Sequence, residues 1–120
     1  MCPVYINRIA SIHAESRNEK PYFSAQEPDY KEMITNANLR RRMSRMIKMG
    51  VACGLECLKD IPSEKVDAII TATGLGCLAD TEKFMNALMD NREQMLNPTA
   101  FIQSTFNTVG AQLALLLDRK

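Results

Sequence analysis

The amino-acid sequence predicts a layered α/β domain in which strands and helices alternate. Two segments rich in β-branched residues, 4–12 and 66–72, are typical of strands. Between them, residues 39–59 carry apolar side chains at intervals of three and four, which predicts one long helix. Further helices are predicted after the second strand. The order strand, long helix, strand, helices indicates a βαβ unit.

The composition is that of one compact globular domain. The chain has 120 residues, of which 46% are hydrophobic and 24% charged, and a formal net charge of +1 at pH 7. This balance excludes a disordered tail and a global field that would draw the chain onto nucleic acid or a membrane. No apolar run approaches the ~20 residues that span a bilayer, and the N-terminus lacks a signal-peptide pattern. We expect a cytoplasmic protein with no nucleic-acid and no membrane partner.

The four cysteines do not have the spacing of a zinc site. Cys53 and Cys57 are the only close pair, Cys2 and Cys77 are distant, and the single histidine, His13, is remote. The sequence therefore predicts reduced, mostly buried thiols, with no metal and no cofactor.

Local signals place each element of the first half. Residues 4–12 mix β-branched and aromatic side chains in loose alternation, as an edge strand does. Residues 13–38 are polar and contain Pro21 and Pro28, so they predict a long excursion with at most a short helix at 30–34.

The long helix predicted at 39–59 contains small residues that are poor helix formers. Gly50 and Gly54 each cost up to ~1 kcal/mol in a helix, and we expect them where another backbone approaches closely. Asp60 and Pro62 are expected to end the helix.

The second half is predicted to be a buried strand followed by helices. After the strand at 66–72, a helix over 81–89 would be capped by Asp80 or Thr81. Asn97-Pro98 predicts the start of another helix.

The final helix, predicted at 105–117, ends in an apolar run. With only two or three strands in the chain, we expect an unfinished sheet that either continues or borrows strands from a partner.

The turn at residues 73–79, TGLGCLA, satisfies the dinucleotide pattern G-x-G-x-x-G/A. No second strand ending in an acidic residue follows ~20 residues later, which argues against nucleotide binding. Cys77 lies near a helix start, where a thiol can become nucleophilic, but a small residue packed in a tight turn is the alternative.

A basic cluster occupies the start of the predicted long helix, at residues 39–48. Cations at a helix N-terminus oppose the helix dipole, at a cost of about 0.3–1 kcal/mol each when exposed, so the cluster is not explained by helix stability. One interpretation is an anionic partner. The other is a solvated face or ion pairs with acidic residues of the polar segment.

Three blocks of the sequence together resemble one known family. They are residues 41–60, which begin RRMSRM, residues 70–78, ITATGLGCL, and residues 98–114, PTAFIQSTFNTVGAQLA. In this order they resemble the first long helix, the strand with its glycine turn and the helix pair of β-ketoacyl-[acyl-carrier-protein] synthases, although Cys77 replaces the turn's second glycine. The resemblance covers residues 39–117. It points to divergent ketosynthase domains of polyketide and aryl-polyene pathways, which include chain-length-factor-like proteins.

This resemblance implies the N-terminal portion of a thiolase-like fold and a role in fatty acid or polyketide biosynthesis. The family transfers acyl groups by decarboxylative condensation on a carrier protein, and its nucleophilic cysteine and two assisting histidines lie beyond the matched blocks. We therefore expect no catalytic residue in this chain and no condensation by the chain alone. The alternatives are a non-catalytic subunit like a chain-length factor and a small nucleotide-binding α/β protein.

The resemblance also implies roles for single residues. Arg41 and Arg42 match positions that dock the acidic acyl carrier protein. Leu75 and Phe101 match residues that line the acyl pocket, with ordinary core packing as the alternative. The expected turn and packing positions are Gly74, Gly76, Asn107 and Gly110. The expected partners are an acyl carrier protein and either a second copy of the chain or a partner synthase subunit.

Overall fold

A computed structural model describes residues 2–14 and 25–117. The described part is helical, and no strand occurs in it, which corrects the predicted βαβ order. The helices are α1 (Tyr30–Met33), α2 (Ala37–Arg42), α3 (Arg45–Leu58), α4 (Leu78–Asp90), α5 (Pro98–Ser104) and α6 (Thr108–Leu117), with a 3₁₀ turn at Ser63–Lys65.

Both predicted strands are extended segments without a ladder partner among the described residues. At 4–12 the side chains of Val4, Ile6 and Ile9 are each at least 80% exposed, and only Ile12 is partly buried. At 66–72 the same holds for Ile70, which is 91% exposed. β-branched residues favour extended backbone, but cross-strand pairs are what stabilise a sheet. The only pairing here is an isolated antiparallel bridge between Ala14 and Ala25 in the described ranges.

The predicted long helix is two helices, because the chain leaves helical geometry at Met43 and Ser44. Ser44 has the extended backbone of an N-cap, with ψ of 170°, although its side chain makes no capping hydrogen bond. The Met43 side chain is buried in the core. The side-chain amide of Gln103 donates to the carbonyl of Arg42, which satisfies a carbonyl at the end of α2.

The other helices agree with the predictions to within three residues. The helix predicted at 30–34 is α1. However, residues 15–24 of the polar excursion lie outside the described part. Asn97 caps α5 as predicted, its side-chain oxygen accepting from the backbone N–H of Thr99 at 2.9 Å. None of the described helices is by itself long and apolar enough to cross a membrane, and α5 with α6 meets that criterion only as a pair bent by 105°.

Helices α4 and α6 do not begin where predicted. The carbonyl of Cys77 accepts from the backbone N–H groups of Asp80 and Thr81 at 3.0 and 2.9 Å, so α4 starts three residues early, with Cys77 as N-cap. Before α6, the hydroxyls of Thr105 and Thr108 donate to the carbonyl of Ile102 at 2.8 and 2.6 Å. These bonds close the end of α5 and delay the start of α6.

The core lies between α3 and α6. It is built from the buried side chains Ile34, Met43, Ile47, Val51, Cys77 and Leu113. A Cβ on Gly50 would lie 2.8 Å from Val109 Cγ1, and one on Gly54 would lie 2.6 Å from Leu113. Space at these glycines is therefore needed as expected, but side chains of α6 fill it and not the backbone that was predicted.

Candidate functional site: the glycine turn and the arginine face

The turn before α4 is held by one side chain and one glycine. The Thr73 hydroxyl accepts from the backbone N–H of Gly76 at 2.9 Å. Gly76 has a positive φ of 64°, and a Cβ there would lie 2.8 Å from the Phe106 ring. Gly74 has open space around it, since nothing lies within 4 Å of its Cβ direction. Of the two glycines expected at this turn, the geometry requires only Gly76.

A mostly apolar cavity of about 210 Å³ lies behind the turn, between α3 and α6. Its lining includes Met46, Gly50, Thr71, Gly76, Cys77, Phe106 and Val109. The Cys77 side chain is buried, and its pKa is raised first by burial and then by the neighbouring charge of Asp80. Both effects disfavour the thiolate, so the geometry favours a packing role for Cys77 over a nucleophilic one.

The histidine that a nucleophile would need is not beside this cavity. His13 is exposed in the N-terminal extended segment, where its Nδ1 atom lies 3.2 Å from the Ser11 hydroxyl. The backbone N–H of Gly76, which a phosphate cradle would use, is already bonded to Thr73. The turn therefore has neither a catalytic base nor a free anion cradle among the described residues.

Leu75 and Phe101 lie on different elements and outside the lining of the cavity. Leu75 is 76% exposed at the tip of the turn, and Phe101 is 56% exposed on α5. The Phe101 ring packs on Phe84 of α4, with centroids 5.4 Å apart and planes tilted by 57°. Neither side chain is buried in the core. Ordinary core packing, the alternative to a pocket role, therefore explains only the contact between Phe101 and Phe84.

Three arginines of the predicted basic cluster lie at the end of α2 and not at the start of a long helix, which corrects the prediction, whereas Arg45 begins α3. Arg40, Arg41 and Arg42 occupy the last turn of α2, where cations interact favourably with the helix dipole. Arg40 donates to the carbonyl of Ile34 and is half-buried. For these three arginines, the dipole cost that suggested an anionic partner is therefore absent.

Arg41 and Arg42 remain exposed cations. Arg41 donates to the carbonyl of Ala37 at 3.3 Å and to the Asn38 side chain at 3.1 Å, both within its own helix. Neither arginine forms a salt bridge with a described residue. The pair forms what we call the arginine face.

Arg45, by contrast, takes part in a small internal network. Its Nε atom lies 2.5 Å from Glu27 Oε1, and the Tyr30 hydroxyl donates to Glu27 Oε2 at 2.6 Å. These bonds, the one from Tyr30 first, lower the pKa of Glu27. Burial and then Glu27 raise the pKa of Tyr30. For Arg45, the interpretation as an ion pair with an acidic residue of the polar segment is therefore confirmed. The sequence spacing did not indicate that Tyr30 would bond to the same carboxylate.

Of the two packing positions expected around the start of α6, Gly110 lies against another segment, whereas Asn107 is exposed. The Oδ1 atom of Asn107 lies 3.0 Å from the hydroxyl oxygen of Thr105. A Cβ on Gly110 would lie 3.3 Å from Thr71 Cγ2 and 3.6 Å from Ile69 Cγ2. Gly110 therefore lets the extended segment 66–72 lie against α6, although the packing partner is not another helix.

Comparison with known proteins identifies the family. The chain has no significant match among curated proteins and none among solved structures. Its residues 13–120 match the family model described as β-ketoacyl synthase, N-terminal domain. This match takes in the glycine turn, the arginine face and the whole polar segment before them, residues 13–38. The chain belongs to the β-ketoacyl synthase family and carries that family's N-terminal domain over residues 13–120.

Proposed function

We propose that the chain acts in fatty acid or polyketide-type biosynthesis as the N-terminal part of a β-ketoacyl-[acyl-carrier-protein] synthase-like protein. The observation that carries this proposal is the family match over residues 13–120. The reaction class is acyl transfer by decarboxylative condensation, with the growing chain and the extender both presented on a carrier protein.

The described residues do not supply the condensation chemistry by themselves. Condensation needs an acylated thiolate and donors that stabilise the enolate of the extender. Cys77 is buried with a raised pKa, and His13 is exposed on the N-terminal segment. We expect the purified 120-residue chain to show no condensation on its own.

The arginine face is the proposed docking site for the acyl carrier protein. Arg41 and Arg42 are exposed at the end of α2 and form no salt bridge with a described residue, so their charge is available to an acidic partner. Contacts of this kind increase the association rate and weaken as salt rises.

Leu75 and Phe101 are proposed to line an acyl pocket that is completed by a second polypeptide surface. Both side chains are largely exposed, and further apolar side chains are exposed on α4 and α5. These are Leu78, Met85, Met89 and Ile102. Exposed apolar patches of this kind mark interaction surfaces. A homodimer or a partner synthase subunit would cover them.

A second candidate function is a non-catalytic subunit like a chain-length factor. The same exposed apolar surface favours it, since such a subunit works by packing against a complete synthase. Nucleotide binding, the third hypothesis, is disfavoured, because the Gly76 N–H is bonded to Thr73 and the Phe106 ring covers the glycine.

The experiment that tests carrier docking is light scattering with intact mass on the chain, with and without acyl carrier protein, at low and moderate salt. We expect a complex at low salt that the double variant Arg41→Glu/Arg42→Glu loses, with affinity falling at least about tenfold when salt rises from ~50 to ~200 mM. The matched control is Lys83→Glu/Arg92→Glu, which makes the same charge change on exposed residues at α4.

Two results would count against this proposal. One is carrier binding that the control variant loses as completely as the arginine variant does. The other is a chain that stays indifferent to the carrier at every salt concentration, which would leave the family assignment intact and remove the docking role.

A further inference from the structure

We propose that Cys53 and Cys57 form a binding site for one soft monovalent cation of the Cu(I) type. The two residues are four apart on α3, so their side chains are neighbours on one helix face. Both side chains are partly exposed, so an ion can reach them. Nothing in the proposed synthase function uses this pair.

Thiolate sulfur is the ligand that soft cations of this type prefer, and two thiolates one helical turn apart can share one ion. Two adjacent thiolates repel each other, and a single cation bound to both removes that repulsion. Binding releases the two thiol protons to solvent, forms two sulfur–metal bonds and leaves a net charge of −1, with no change of oxidation state.

Cys53 shares a cavity with one further soft donor, Met33. A cavity of about 450 Å³ opens next to Cys53, between α3, α1 and the N-terminal extended segment. Met33 of α1 and Ile12 of that segment line it together with Cys53. Thiolate and thioether sulfur are the ligands that select Cu(I) over harder cations.

Other uses of two thiols fit this geometry less well. A disulfide needs Cβ atoms about 3.5–4.5 Å apart, whereas residues four apart on an intact helix hold them at about 5–6 Å. A structural zinc site needs four ligands. Within residues 2–14 and 25–117, no group of three or more His, Cys, Asp or Glu side chains could hold a metal ion. A two-coordinate soft cation requires only the pair.

The site is separate from the glycine-turn cavity. That cavity is lined by Cys77 and by Met46, which lies near the start of α3. Cys53 and Cys57 lie in the second half of α3. Cys77 is enclosed by the core and Cys2 is exposed on the N-terminal segment, so each offers a lone thiol. These two cysteines are therefore the internal controls for the proposal.

The test is an anaerobic titration of the reduced full chain with Cu(I), in competition with a chromophoric Cu(I) chelator. We expect one tightly bound Cu(I) per chain, with an ultraviolet thiolate-to-metal band. Loss of a direct ligand exceeds the 10- to 100-fold effects of outer-shell changes, so Cys53→Ser and Cys57→Ser should each weaken binding by at least about 100-fold. Cys2→Ser and Cys77→Ser should leave the affinity within about threefold of wild type.

A second measurement covers the case in which a variant is less well folded. Ag(I), a close chemical stand-in for Cu(I), should raise the Tm of the wild-type chain and leave that of the Cys53→Ser/Cys57→Ser double variant unchanged. Wild-type protein that shows no Tm shift, or Cu(I) binding that Cys2→Ser or Cys77→Ser abolishes as fully as Cys53→Ser, would overturn the proposal. Carrier binding is measured separately, so the two proposals can fail independently.

Discussion

At the scale of single residues, Glu27 joins three parts of the chain. Its carboxylate accepts from Tyr30 and pairs with Arg45, which connects the polar segment to α1 and α3. Both partners stabilise the ionised form, so the pKa of Glu27 lies below its ordinary value of 4.5. A lowered folded-state pKa means that the carboxylate stabilises the fold above its unfolded pKa and ceases to do so as pH falls through the folded value.

This sign gives a pH-dependent prediction. We expect Glu27→Gln to be less stable than wild type at about pH 7, and the difference in free energy of unfolding to shrink as pH falls through the lowered folded-state pKa of Glu27. Urea unfolding followed by circular dichroism at several pH values measures it. Glu82→Gln, at an exposed position on α4, is the control and should show no such trend. A difference that stays constant across this range would show that the ionised carboxylate is not the cause.

Gly76 is a position at which the backbone conformation requires glycine. Its φ of 64° costs a side-chain-bearing residue about 1–2 kcal/mol, and a Cβ would also press on the Phe106 ring. We expect Gly76→Ala to destabilise the chain by about 1–3 kcal/mol, and Gly74→Ala, where the space is open, to change stability by no more than about 0.5 kcal/mol. Thermal and urea unfolding of the two variants compare them directly. Equal effects would contradict the requirement for glycine at residue 76 alone.

At the scale of elements, the contact between α3 and α6 depends on the absence of a side chain. Leu113 fills the space above Gly54, with its Cδ atoms 2.6 Å from where a Cβ would lie. Alanine in place of glycine gains up to ~1 kcal/mol of helix propensity, but overpacking a core costs about 1–3 kcal/mol. We therefore expect Gly54→Ala to be destabilising overall, as measured by the midpoint of urea unfolding.

A double-mutant cycle identifies the cause of that loss. Leu113→Ala removes the side chain that the new methyl group meets, so Gly54→Ala should be less harmful in the Leu113→Ala background, with a coupling of about 0.5–3 kcal/mol. Additive effects would mean that the two helices adjust elsewhere and that Gly54 is not their contact point.

Helix periodicity predicted the elements that depend on local signals. Asn97 and Pro98 specified the start of α5, and the glycines at 50 and 54 specified a close contact, because capping and steric space are properties of a few neighbouring residues. The break at Ser44 was missed, since apolar spacing continues across it and the deciding contacts come from the core and from Gln103. The prediction that the arginine cluster lies at a helix start was wrong for the same reason: the break puts Arg40, Arg41 and Arg42 at the end of α2.

At the scale of the whole molecule, the two β-branched segments show what sequence alone could not supply. Residues 66–72 have the composition of a central strand and lie extended against Gly110. They form no ladder, because none of the described segments presents an edge to them. Local composition determined the backbone conformation, whereas sheet formation depends on distant partners. The candidate site shows the same difference between local and distant interactions. The turn was predictable from its glycines, whereas the network at Glu27 joins distant residues and was not predicted.

The exposed apolar surface leads to a prediction about association. Ile70 and Leu75 are largely exposed, and apolar contacts are not weakened by salt as ion pairs are. We expect the chain to self-associate at micromolar concentration, with association unchanged or stronger between ~50 and ~300 mM salt, opposite to the trend for carrier binding. Light scattering at several protein concentrations measures it. Ile70→Asp/Leu75→Asp should shift the chain toward monomer, while Glu82→Asp at an exposed position should not. A wild-type chain that stays monomeric at all these concentrations would mean that this surface is not covered by a second copy, and a partner synthase subunit would then be the occupant to test.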